Sequence, residues 1–260
     1  MRELINSYYT DKFVTIYHGD CCGVMPHLDD GSVDMILCDL PYGITARNKW
    51  DIIIPFDELW KNYNRIIKKN GVIALTAVEP FATLLAMSNI KHLKYDLIWV
   101  KNKKTGFLNA NKMPLRQHER ILIFYKELPT YNPQKTTGHK PVHSFTKHTS
   151  DGDNYGETKI GISGGGQTDR FPTSVISIPV HNNDAIDKFH PTQKPVALFE
   201  YLIKTYTNEC EVVLDNCFGV GTTAVACIKT NRYCIGIDIS KKYCEIAAKR
   251  CYQEMTELKI

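Results

Sequence analysis

The sequence predicts an α/β fold: a parallel or mixed sheet covered by helices on both faces. Three observations predict it. Apolar runs of strand length alternate with stretches of helical spacing through residues 1–126 and again through 189–260. The 260 residues are 43% hydrophobic and 10% aromatic, enough apolar mass for one large core. The alternation breaks only once, across residues 127–188, which reads as an insertion rather than a second fold.

The elements follow in order. Phe13–His18 and Val33–Cys38 are short apolar runs that read as strands. From Phe56, the positions Leu59, Trp60, Tyr63, Ile66 and Ile67 recur at helical spacing, with Asn70-Gly71 as the stop signal. Val72–Ala77 reads as a buried strand, Glu79–Asn89 as a helix, and Tyr95–Val100 and Ile121–Tyr125 as further strands. Residues 127–188 hold Pro129, Pro133, Pro141, Pro172, Pro179 and the run Gly164-Gly165-Gly166, and sustain no period. Order returns with a helix from about Pro195 to Tyr206, its proline suited to the first turn. A strand at Glu211–Asp215, a helix from about Gly221, a strand at Tyr233–Asp238 and a helix from about Ser240 complete the chain.

Composition narrows the function classes. With 23% charged residues, 16 Gly and 12 Pro, the chain is neither disordered nor fibrous as a whole. It contains no apolar run of about 18 residues and no secretory signature at Met1–Asn6, so a cytoplasmic protein without membrane contact is expected. The nine cysteines include no C-x-x-C spacing, and Cys38, Cys217, Cys227 and Cys234 sit in or beside apolar runs. They read as reduced, mostly buried thiols, and no metal site is expected. His118, His139, His143 and His148 fit no usual ligand spacing either. Charge is uneven: residues 101–126 carry seven cations against Glu119, a local balance of +6 in a chain of net +4. Such a segment suits a polyanion.

Two motifs carry chemistry. Leu214–Thr223 (LDNCFGVGTT) is a strand, a glycine-containing turn and the start of a helix. Small residues there admit a ligand to the backbone, and the helix N-terminus favours an anionic group. Asp238 ends the next strand, 17 residues beyond Gly221, where a carboxylate can bind both hydroxyls of a ribose. A nucleoside ligand is therefore expected. The second motif, Asp39-Leu40-Pro41-Tyr42-Gly43, follows directly on the strand Val33–Cys38. Strand C-terminal ends are where open α/β sheets bind ligands. Asp39 and the carbonyl of Leu40 or Pro41 can accept two N–H bonds from an exocyclic amine, while Tyr42 stacks on a base.

Together these motifs resemble the S-adenosylmethionine-dependent DNA amino-methyltransferases, whose catalytic tetrapeptide is [DNS]-P-P-[YFW]. The tetrapeptide precedes the cofactor motif, as in the circularly permuted β class. Gly19-Asp20, His190-Pro191-Thr192-Gln193-Lys194-Pro195 and Asp238 also match that arrangement. Leu40 stands where the family has its first proline, and its carbonyl keeps the acceptor.

The resemblance implies a doubly wound, circularly permuted Rossmann-like sheet of seven strands. Residues 1–126 would form its catalytic half, 127–188 a target recognition insertion, and 189–260 the cofactor half. It implies Asp39, Leu40, Pro41 and Tyr42 as catalytic residues. The implied contacts to S-adenosyl-L-methionine are Asp20, Cys21, Asp39, Lys194, Asp215, Phe218, Gly219, Gly221, Thr222, Thr223 and Asp238. Lys101, Lys103, Lys104, Lys112, Arg116 and Arg120 would neutralise phosphates of double-stranded DNA, with Asn109 and Asn111 reaching base edges. Asp39 at the head of the tetrapeptide implies the adenine N6 amine as target. A cytosine-N4 enzyme is the alternative, and a catalytically silent DNA-binding or cofactor-sensing module a third reading. A companion restriction endonuclease and a homodimer are the further partners implied.

Overall fold

The computed structural model describes residues 6–44, 51–147, 160–180 and 193–258. His190-Pro191-Thr192 and His148 lie outside the described residues. The chain forms two compact units, one of Met1–Asn132 with Ser174–Ile260 and one of Pro133–Thr173.

The first half of the larger unit holds β1 (Tyr9–Thr10), β2 (Val14–His18), α1 (Cys21–Val24), β3 (Val33–Cys38), α2 (Phe56–Ile66), β4 (Ile67–Ala77), α3 (Phe81–Ser88), β5 (Leu93–Thr105) and β6 (Arg116–Phe124). After β7 (Phe145–Thr146) and β8 (Ser163–Gly164) of the smaller unit, the chain forms β9 (Val175–Ser177), α4 (Val196–Tyr206), β10 (Val212–Asp215), α5 (Thr222–Thr230), β11 (Tyr233–Asp238) and α6 (Lys241–Leu258). Among the described residues nine strands pair in the order β1-β2-β11-β10-β3-β4-β6-β5-β9. Seven were expected. The additional two are the short edge strands β1 and β9, too brief to carry a period. The run from β2 to β4 is parallel, and β6 is antiparallel to both β4 and β5.

The sheet is buried on both faces, and its strands read as continuous apolar runs for that reason. Met35, Leu37, Val72, Ala74, Ile121 and Ile123 pack with α4, α5 and α6. Their neighbours Ile36, Cys38, Ile73, Leu75, Leu122 and Phe124 pack with α1, α2 and α3. The period of two along each strand thus feeds two separate cores. In α2, the buried face is Leu59, Trp60, Tyr63 and Ile66, with Asp57 and Glu58 in the first turn and Arg65 in the last. These charges suit the helix dipole. Truncating Leu59 to alanine in so closed a site costs about 2–5 kcal/mol.

Several boundaries differ from expectation: β5 runs on to Thr105 rather than ending at Val100, β6 begins at Arg116 rather than Ile121, and α2 ends early. Asn70-Gly71 does not end α2; the helix stops at Ile66, and Ile67 is already extended. Residues 67–71 form the start of β4, beside a register shift against Val33 and Met35 of β3. Pairing with β3 overrides the local turn signal.

The smaller unit is tied internally by the β7–β8 pair, a bridge between Thr136 and Arg170, and an ion pair of 2.7 Å between Lys135 and Asp169. The chain then rejoins the large sheet, where β9 lies parallel to β5 and Trp99 Nε1 donates to the Ile178 carbonyl at 2.8 Å.

Candidate active site

The C-terminal ends of β2, β3, β4, β10 and β11 share one edge of the sheet. At β3 the backbone leaves the sheet through Asp39-Leu40-Pro41-Tyr42. Leu40 is buried at 4% exposure, so its side chain anchors the turn in the core. Asp39 is held by side chains. Its Oδ1 accepts from the Tyr42 hydroxyl at 2.5 Å and from the Thr76 hydroxyl of β4. Its Oδ2 accepts from Lys194 Nζ at 2.7 Å. The Tyr42 ring packs on Phe81, with centroids 5.2 Å apart, and Lys194 Nζ lies 5.6 Å from the Tyr42 centroid.

Behind this carboxylate runs a buried charge network. Lys194 Nζ is 3.2 Å from Glu119 Oε2, and Lys101 Nζ is 3.0 Å from Glu119 Oε1. Burial disfavours both charges of the Lys194–Glu119 pair, but the partners outweigh it. Asp39, Tyr42 and Glu119 hold the Lys194 ammonium well above its usual range. Lys194 and Lys101 hold Glu119 below the usual carboxylate range. Burial, reinforced by the Asp39 charge, drives Tyr42 far above the phenol range, so its hydroxyl keeps its proton and donates. Three side chains, Tyr42, Thr76 and Lys194, thus orient one carboxylate, and Glu119 holds the last of them in place.

The half of the edge around Asp238, expected to hold a nucleoside, is built from backbone. Asp238 Oδ2 accepts from the Gly219 N–H and Oδ1 from the Ser240 N–H, both at 2.7 Å. Asp20 caps α1 by accepting from the Cys22 N–H at 3.1 Å, and the Gly19 N–H donates to the Asp238 carbonyl at 3.0 Å. Gly221 has φ +79°, and a β-carbon there would lie 2.8 Å from Ala247, so close packing of α6 on the turn demands glycine. A β-carbon on Gly219 would meet nothing within 4 Å, which leaves the turn open beside Asp238.

Five further residues expected at the cofactor are buried. The Phe218 ring is 3% exposed and lies flat against Gly236, whose β-carbon would sit 2.6 Å from it, so it is core. Thr223 is fully buried and donates its hydroxyl to Asp215. Asp215, 3% exposed, also accepts from the Cys217 N–H at 3.1 Å, and so braces the turn from inside. Burial raises its pKa to about 7, against the pull of these donors. Cys21 is likewise buried, and the neighbouring Cys217 thiol lowers its pKa below the usual thiol range. Thr222 is buried at the first position of α5.

The six expected DNA cations divide in the same way. Lys103 is half-buried, and Lys104, Lys112 and Arg116 are exposed, as are Asn109 and Asn111. Lys101 is not available to phosphate: it is 7% exposed and spent on Glu119. Arg120 is paired with Asp96 and Glu79, each at 2.8 Å. Sequence reasoning missed Thr76 and Glu119 as partners of the site. Glu119 did carry a signal, as the lone acid in the basic segment; Thr76, inside an apolar strand, carried none.

With this geometry in view, the class of the chain is clear. A model of the DNA methylase family matches residues 33–249, and the chain belongs to that family. Among similar proteins is the type II methyltransferase M.BglII of Bacillus subtilis, 27% identical over 95% of this chain and 71% of its own length. The DNA adenine methyltransferase YhdJ of Escherichia coli is 26% identical, over 91% of this chain and 82% of its own. The M1.HpyAVI–SAM complex shares the fold at a TM-score of 0.59 and 24% identity, covering 91% of this chain and 99% of its own. The cytosine-N4-specific PvuII methyltransferase does so at a TM-score of 0.68 and 14% identity, covering 97% and 94%. Among the described residues no helix is long and apolar enough to cross a membrane.

Proposed function

We propose that this chain is a cytoplasmic, site-specific DNA adenine-N6 methyltransferase that takes its methyl group from S-adenosyl-L-methionine. The observation that carries the reading is Asp39: an oriented carboxylate at the end of β3, on the same sheet edge as Asp238 and Asp20. The donor set fits the cofactor. Asp238 retains acceptor capacity beside an open Gly219, which suits ribose hydroxyls, and Asp20 stands next to it through the Gly19–Asp238 bond. S-adenosylmethionine, when bound, supplies a sulfonium methyl that needs only an aligned lone pair.

The adenine amine is a poor nucleophile because its lone pair is delocalised into the ring. Asp39 accepts one N6–H and the Leu40 or Pro41 carbonyl the other, which localises the lone pair on nitrogen. Tyr42 stacks on the extruded base with its hydroxyl already fixed by Asp39 and Thr76, so little freedom is lost on capture. Lys194, itself held by Glu119, keeps Asp39 aimed, and Asp39 is placed to take the surplus proton of the methylated amine. Catalysis then rests on positioning and electrostatics, with no covalent enzyme intermediate. The insertion 127–188 serves target recognition in this reading, and a companion endonuclease and self-association extend it.

Expression in a methylation-free host, followed by single-molecule mapping of modified bases, tests the proposal. N6-methyladenine in one recurring sequence is the expected result. N4-methylcytosine in its place overturns the base assignment, and unmodified DNA overturns the activity.

A further inference from the structure

The arm between β5 and β6 leaves the sheet at the catalytic edge. Arg120 stands opposite both Ala77, at the end of β4, and Ile98 of β5, so residues beyond Val100 and before Gln117 extend past that edge. The base of the arm is wired to the catalytic carboxylate. Lys101, Glu119, Lys194 and Asp39 form a chain of contacts of 3.0, 3.2 and 2.7 Å. Residues 102–105 at about 3.3 Å each carry the tip roughly 13 Å further out.

The tip is a turn closed by its own backbone. The Asn109 N–H donates to the Gly106 carbonyl at 2.9 Å, that of Ala110 to Phe107 at 3.1 Å, and that of Lys112 to Asn109 at 2.8 Å. It holds its apolar side chains out in water: Leu108 is fully exposed, Phe107 is 68% exposed and Met113 58%. Residues 102–118 contain four cations, Lys103, Lys104, Lys112 and Arg116, and no carboxylate. An apolar point inside a purely basic collar does not fit a protein groove of ordinary composition. It fits a polyanion with an apolar interior, which is a base-paired duplex.

Resting on the DNA methylase reading, we propose that Phe107 and Leu108 form a wedge that enters duplex DNA beside the target adenine and fills the space the base vacates when it leaves the stack. The collar cations meet the flanking phosphates. The wedge lowers the cost of extrusion, while the wiring through Glu119 fixes the arm relative to Asp39.

The test compares wild type with Leu108→Ala and with the double variant Phe107→Ala/Leu108→Ala, which remove exposed side chains and leave the core intact. Single-turnover methylation is measured on a duplex bearing the mapped target sequence, and on the same duplex with an abasic site opposite the target adenine. The double variant is expected to slow roughly tenfold or more on the paired duplex, because unstacking and unpairing lose their compensation, and to recover the wild-type rate on the abasic duplex. Leu108→Ala is expected to fall between. Equal loss on both duplexes, or no loss on either, overturns the wedge. A rate loss that tracks a change in oligomeric state by sedimentation overturns it in favour of a second copy of the chain. Wild type methylating neither duplex overturns the DNA methylase reading itself, and the wedge with it.

Discussion

Asp238 and Asp39 stand at the ends of β11 and β3, the two strands that flank β10 on one sheet edge, yet different kinds of donor hold them. Asp238 is gripped by the main-chain N–H groups of Gly219 and Ser240. Asp39 is gripped by the side chains of Tyr42, Thr76 and Lys194, the last of which is 155 residues away in sequence. Main-chain donors come with the strand–turn–helix and cannot be exchanged by a point substitution. Side-chain donors can yield when a substrate amine arrives, and each can be lost to one substitution. A nucleoside that only has to be held suits the first kind of site. An amine whose hydrogen bonds must re-form around a moving methyl group suits the second.

The largest expected effect breaks the side-chain half. Asp39→Ala removes the acceptor for the target amine and leaves the Lys194 ammonium buried with Glu119 alone. Single-turnover methylation is expected to fall roughly a thousandfold or more, the scale of removing an oriented electrostatic partner from a transition state. Wild-type-like turnover in this variant defeats the mechanism.

A smaller and different effect is expected in the backbone half. Asp238→Ala leaves the Gly219 turn in place but removes the acceptor for the ribose. Calorimetry should show S-adenosylmethionine bound roughly 10- to 150-fold more weakly, equivalent to about 1.5–3 kcal/mol for a charged hydrogen-bond partner. The rate at saturating cofactor should change little. Unaltered affinity removes Asp238 from the cofactor site.

This contrast also explains what could be read from the sequence. Strand β11 was legible to the residue, and Asp238 with it, because a buried parallel strand is a contiguous apolar run and its terminal acid is a local feature. The turn after β10 was legible as a turn, but not in its detail. Phe218 faces inward because Gly236, from another strand, leaves it room, and Thr223 and Asp215 face inward to bond each other. Asp39 and Tyr42 were legible as a motif, whereas Thr76 and Glu119 reach them only through the pairing of β4 with β3 and β6. The same long-range pairing withdrew Lys101 from the basic segment and erased the helix stop at Asn70-Gly71. Local pattern determines elements and turn chemistry. Which side chains a strand end shares with its neighbours is decided by register.

The two halves should finally differ in the sign of their pH dependence. Burial raises Asp215 to about 7, while its unfolded counterpart titrates near 3.9. Between those values the folded chain keeps a proton that the unfolded chain has released, so this group's favourable contribution is complete below about 4 and is lost as pH rises towards 7. Glu119 behaves oppositely. Burial opposes its charge, but Lys194 and Lys101 outweigh it and depress its pKa. Its contribution is present above the unfolded value of about 4.3 and is lost as pH falls. Denaturant midpoints separate the two when wild type and Asp215→Asn are compared at pH 4.5 and 7.5, and wild type and Glu119→Gln at about pH 3 and 7.5, which bracket the window of each group. Raising the pH should shift stability towards Asp215→Asn relative to wild type, and away from Glu119→Gln. The absolute midpoints will carry every other titrating group, but those cancel in each difference from wild type. A pH-independent difference for Asp215→Asn means that the buried turn carboxylate is ionised throughout, held by the Cys217 N–H and the Thr223 hydroxyl strongly enough to overcome its desolvation. In that event both halves of the edge would hold their carboxylates charged, and the distinction between them would reduce to the identity of the donors.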